Sequence, residues 1–85
     1  MEKLMEKVNE RVERLRAKAG FFFKNHTKTF VKIFSGEYYF CEILMMNEHY
    51  LFILNFEGRR KGEKNRLLWL DVEDIEEYEG DEGDD

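Results

Sequence analysis

Five cations crowd into the eight residues "RRKGEKNR", where Arg59, Arg60, Lys61, Lys64 and Arg66 are interrupted by Gly62, Glu63 and Asn65. Cations at this density can neutralise phosphates, and Gly58 and Gly62 would let a loop fold them toward one ligand. No aromatic residue breaks the run, so it favours sequence-independent contact with a nucleic-acid backbone over base readout. The competing reading is a solvated loop, or one that pairs with acids of its own or a neighbouring subunit. A second polar group, Asn47-Glu48-His49, separates the apolar runs Met45-Met46 and Tyr50–Leu54. The His49 imidazole can stack on a base, and it is equally suited to a solvated turn held by its neighbours.

Catalytic constellations are missing from the sequence, and the expectation is a non-enzyme. The one serine, Ser35, precedes a glycine in a turn signal, the two histidines have no nucleophile at a recognisable elbow, and the glycines form no phosphate cradle. The acids after Asp71 run into a polar terminus where paired carboxylates would not be held at working distance. Asp81, Glu82, Asp84 and Asp85 lack the spacing of a calcium loop. No metal or other cofactor is expected. With Cys41 as the single cysteine, neither an internal disulfide nor a cysteine zinc cluster can form.

The elements that must position these residues follow from periodicity. Met1, Met5, Val8, Val12, Leu15 and Ala19 recur at alternating steps of four and three, which predicts a helix over residues 2–19 stopped at Gly20. The narrow seam fits packing on the body of the domain, with a coiled coil to a partner as the alternative. From Thr29 the period becomes two. Thr29, Val31 and Ile33 alternate before a turn at Ser35-Gly36, and Tyr39, Cys41 and Ile43 alternate after it, with bulk on both faces. Tyr50–Phe56 reads as a third strand, Leu67–Leu70 as a fourth, Asp71–Asp74 as a tight turn and Ile75–Tyr78 as a short fifth. The expectation is a mainly β fold with an N-terminal α-helix and five short strands within residues 29–78, forming a strongly bent antiparallel small barrel.

Charge divides the chain. Residues 1–66 hold all 14 Lys and Arg against 9 acids, whereas residues 67–85 hold 10 acids and no base. Residues 80–85, with two glycines and no apolar side chain, are expected to be a disordered acidic tail after a domain spanning 1–79. The tail either solubilises the protein or competes with an anionic ligand for the basic cluster. No apolar run approaches the roughly 20 residues of a membrane span, and the charged start is unlike a secretory signal, so a cytoplasmic protein without membrane contact is expected. The absence of proline and glutamine, with abundant Lys, Arg and Glu, leans toward a thermophilic composition. A domain of 85 residues buries a modest core and gains from association.

Over residues 1–79 the chain resembles the Sm-like (LSm) family. The first motif of that family is matched without a gap by Val31-Lys32-Ile33-Phe34-Ser35-Gly36, then Tyr39, Cys41 and Ile43, then Asn47 through Leu54; the second falls in outline on Leu70–Ile75. The resemblance implies a five-stranded bent barrel that closes into a homo-oligomeric ring, a hexamer or heptamer, by pairing its fourth strand with a neighbour's fifth. It also implies RNA as a partner, with a uridine pocket where the turn after the second strand meets the turn between the fourth and fifth. Carried over by position, His49 retains the stacking role. Leu51 replaces the base-reading asparagine, Asp71 the arginine and Val72 the glycine, so uridine recognition is not implied for this chain. Two functions remain: an RNA-associated module contacting its ligand through the basic loop and His49, or a scaffold of the same fold that contacts a protein through its N-terminal helix or acidic tail.

Overall fold

The computed structural model describes residues 2–79, with side chains from Lys7 onward; the 80–85 segment, Met1 and the Met5 side chain lie outside the described residues. Helix α1 spans Glu2–Lys24. It therefore runs through Gly20, correcting the expected stop. The apolar spacing continues past the glycine, so that Leu15, Ala19 and Phe22 are all buried on one face and Val12 packs beside them. Burying the Phe22 ring, worth about 2 kcal/mol, outweighs the roughly 1 kcal/mol that an interior glycine costs a helix. The stop is at His26, whose φ of 54° is left-handed. There the His26 amide donates to Phe23 O at 3.2 Å and the Thr27 amide to Phe22 O at 2.9 Å, the paired bonds of a Schellman cap. Asn25 Nδ2 adds a third bond, to Phe21 O at 2.8 Å. From Val12 to Phe22 the apolar face of the helix lies on the chain's own sheet.

Five strands follow: β1 (Lys28–Ile33), β2 (Tyr38–Met46), β3 (Tyr50–Asn55), β4 (Lys64–Leu68) and β5 (Val72–Glu77), with a single 3-10 turn at Trp69–Asp71 before β5. They form one antiparallel sheet in the order β4-β3-β2-β1-β5. Inward positions alternate as the period of two predicts: Thr29 and Val31, then Tyr39, Cys41 and Ile43, then Leu51, Ile53 and Asn55 are buried. The expected 71–74 turn is corrected. The chain turns at Trp69–Asp71, and β5 begins at Val72, three residues before the predicted start. A register shift opposite Lys32 and Ile33 lets Val72 and Ile75, three apart, both face the core.

The sheet must curl. β4 and β5 are its two edges, which in a flat five-stranded sheet would lie about 19 Å apart. Yet Leu68 and Val72 are joined by three residues, a reach of at most about 14 Å and less through a 3-10 turn. The edges therefore approach at this corner, and Leu67 of β4 joins Val72 and Ile75 of β5 in one core with Trp69. A second register shift, between Ile43 and Met45, interrupts the ladder within the long β2 as a bulge does, which bends a strand and increases its twist. Among the described residues no helix is long and apolar enough to cross a membrane.

Candidate functional site

The cationic segment is built in two parts. Its first half is a turn pair, closed by Lys61 N to Gly58 O at 3.1 Å and Glu63 N to Arg60 O at 2.8 Å, with Gly58 and Gly62 at φ of 90° and 88°. Asn55, buried at the end of β3, anchors it: its Nδ2 donates to Glu63 O and to Asn65 Oδ1, both within 2.8 Å. The second half is strand. Lys64, Asn65 and Arg66 belong to β4, correcting the reading of one continuous loop to residue 66, because Asn65 points inward to meet Asn55 while Lys64 and Arg66 point out.

The five cations are not equivalent. Arg60 is engaged by its own chain, with Nη2 3.3 Å from Glu37 Oε1 and its guanidinium 5.1 Å from the centre of the Tyr39 ring. Tyr39 OH donates to the same carboxylate at 3.4 Å, and its burial raises the phenol pKa against the opposing pull of Arg60. Arg66 lies 5.3 Å from the centre of the Tyr50 ring. Arg59, Lys61, Lys64 and Arg66 are exposed and form no ion pair among the described residues.

His49 is placed apart from the turn half of this group, though it is next in sequence to Tyr50, over whose ring Arg66 lies. The six residues of β3 separate it from that turn, about 23 Å of chain from His49 to Phe56 at strand rise. Asn47 Oδ1 accepts from the His49 and Tyr50 amides at 2.8 and 3.0 Å, which makes the polar interruption a side-chain-stabilised turn. The imidazole is three-quarters exposed, 3.5 Å from Glu48 Oε2. Trp69 ties this turn to the 3-10 corner, donating from Nε1 to Asn47 O at 2.7 Å and from its backbone to His49 O at 3.2 Å. The two turns meet, but the positions carried over from the resemblance do not form a base-reading pair: Leu51 is fully buried in the core, and Asp71 is exposed and forms no ion pair among the described residues.

A surface that the sequence reading did not single out lies on the outer face of β1 and β2. Phe30 stacks on Phe40 with centroids 5.4 Å apart, Tyr38 meets both rings edge-on, and Tyr78 bridges Phe40 to Phe56 at 5.3 and 5.0 Å. One cleft beside this strip, about 430 Å³, is lined by Arg59, Arg60, Glu37 and Glu57 as well as Tyr38 and Phe40. The signal was present as aromatic residues at the outward positions 30, 38 and 40, within strands noted to carry bulk on both faces. No family model, curated protein or solved structure matches this chain.

Proposed function

We propose that the chain is a non-catalytic binding module, a divergent relative of the Sm-like proteins, that assembles into a ring and contacts RNA through phosphates without reading uridine. The observation that carries this reading is the set of four exposed cations, Arg59, Lys61, Lys64 and Arg66, left without an acid partner among the described residues. Kinship is supported by the helix-then-five-strand order, by the strand sequence β4-β3-β2-β1-β5, and by the meeting of the 47–49 turn with the 69–71 corner. The same corner argues against base reading, since the position of the reading asparagine is a core leucine.

Assembly is supported by the edges. β4 presents Lys64 and Arg66, whereas β5 presents Glu73, Asp74, Glu76 and Glu77, with Lys18 taking up Asp74 at 3.5 Å and Glu76 at 3.0 Å. A basic β4 edge and an acidic β5 edge, whose Glu73 and Glu77 form no ion pair among the described residues, are complementary in a head-to-tail contact, which closes into a ring when the rotation permits. The ring size, hexamer or heptamer, rests on the resemblance alone.

The test is a salt titration of single-stranded RNA binding by the wild type and by the Arg59→Ala, Lys61→Ala, Lys64→Ala triple variant. Loss of three phosphate contacts should weaken binding to every sequence and lower the slope of log affinity against log salt by about 2. An unchanged affinity and slope would overturn the proposal. A second reading, a protein-interaction scaffold, is favoured by one specific observation: one cleft on the aromatic strip is lined by the carboxylates Glu77 and Glu79 and not by Arg59.

A further inference from the structure

We propose that the outer aromatic strip is a docking site for an arginine-containing peptide segment of a partner protein, independent of the RNA reading. The chain repeatedly places a cation over a ring: Arg11 lies 4.7 Å from the Phe34 centroid, Lys28 4.9 Å from Phe56, Arg60 5.1 Å from Tyr39 and Arg66 5.3 Å from Tyr50. Phe30, Tyr38 and Phe40 form a continuous patch of three mutually packed rings, and among the described residues no cation covers them. Tyr38 is 56% exposed, so its ring is presented to solvent.

These rings form the floor of a shallow cleft of about 410 Å³ whose rim carries Glu77 and Glu79 together with Tyr78. Both carboxylates are exposed and neither forms an ion pair among the described residues. Exposed Lys32 stands opposite Tyr38 in the β1–β2 register and Lys28 lies over Phe56, so the negative rim is the β5 side of the cleft; there, an apolar floor beside two carboxylates selects a ligand that is itself flat and positive. A guanidinium meets both conditions, stacking its plane on the rings while its N–H groups reach the carboxylates; an ammonium offers the charge without the plane. The same rim repels a phosphate backbone, and the acids at 81, 82, 84 and 85 follow it directly in sequence. Nucleic acid is therefore the wrong class of ligand for the Glu77 and Glu79 side of this face, although stacked rings alone would have suited it and Arg59 and Arg60 line the neighbouring cleft.

The test uses the full chain and a fluorescent, end-blocked peptide of alternating glycine and arginine, read by anisotropy at near-physiological salt. Tyr38→Ala should weaken binding roughly fivefold or more, Tyr38→Phe should leave it near wild type, and replacing the arginines of the peptide with lysine should weaken it by a similar factor. The paired change Glu77→Gln and Glu79→Gln, at two exposed positions, should also weaken binding and provides the same test if Tyr38→Ala fails to fold. Removal of residues 80–85 should leave most of the affinity. Peptide binding indifferent to Tyr38→Ala and to the paired glutamine change would overturn the proposal, as would binding lost with residues 80–85, which would assign the peptide to the acidic segment. Two other outcomes also overturn it: Tyr38→Ala abolishing RNA binding while sparing the peptide, or Tyr38→Ala dissolving self-association, which would assign the strip to a second copy of this chain.

Discussion

Replacing Gly20 with alanine should stabilise this protein. Gly20 lies inside α1, its φ is not among the positive values, and a methyl built on it meets no atom within 4 Å. The substitution therefore gains the full helix-propensity difference, about 0.8–1 kcal/mol, with no packing penalty. For a domain of this size each kcal/mol moves the midpoint by about 4–8 °C, so Tm should rise by roughly 3–8 °C in a thermal melt followed by far-ultraviolet circular dichroism. The sign decides between two descriptions of the helix. Were Gly20 the left-handed stop, alanine there would lower stability by about 1 kcal/mol. His26→Gly is the companion, since His26 holds that left-handed position at φ 54°. Relief of a side chain in that region, about 1–2 kcal/mol, is partly offset by the added freedom of unfolded glycine, for a net gain of about 0.5–1 kcal/mol. The contact it removes, His26 Nδ1 to Glu42 Oε2 at 3.9 Å, is too long and too exposed to reverse the balance. A Tm lowered by Gly20→Ala would refute the helix boundary and the argument from the buried Phe22.

Three further outcomes are expected. Burial pushes the Cys41 thiol up to about 11, against a smaller opposing effect of its hydrogen bond with the Thr29 hydroxyl, so the folded protein should resist thiol reagents at pH 8 and label at the rate at which it opens; immediate stoichiometric labelling would contradict the buried placement. Lys64→Glu with Arg66→Glu should reduce the mass found by light scattering at micromolar concentration, because it sets acid against the acidic β5 edge; a monodisperse monomer for the wild type would remove the ring. Deleting residues 80–85 should tighten RNA binding severalfold at low salt and less at high salt, because the chain leaves β5 through Tyr78, whose hydroxyl bonds Glu57 at 2.8 Å at the base of the basic loop; unchanged affinity would make those acids bystanders.

The strands were legible where one face is buried, because Thr29 and Val31, then Tyr39, Cys41 and Ile43, repeat at the spacing that a half-buried sheet demands. Four features were not, one of them the start of β5, hidden because the register shift opposite Lys32 and Ile33 sets Val72 and Ile75 three apart and breaks the period of two. The helix stop was hidden because glycine signals termination only when nothing beyond it is worth burying, and Phe22 is. The start of β4 was hidden because an edge strand needs few apolar residues: Lys64 and Arg66 face solvent, and the inward Asn65 is satisfied by Asn55, a pairing ten residues apart that composition does not reveal. The aromatic strip was hidden for a different reason. Its rings come from β1, β2 and the segments after β3 and β5, so neighbours in space are as much as 48 positions apart in sequence, as Phe30 and Tyr78 are in the same cleft. The basic cluster was visible as a charge count, but only its geometry separates Arg60, held by Glu37, from Arg59 and Lys61.

The most direct measurement is the affinity of the wild-type protein for oligo-uridine, oligo-adenine and oligo-cytidine of equal length, titrated by fluorescence anisotropy at two salt concentrations. Phosphate-led binding requires the three affinities to agree within a few-fold and to fall together as salt rises. A tenfold preference for uridine, about 1.4 kcal/mol, or no measurable binding at low salt, would contradict the account.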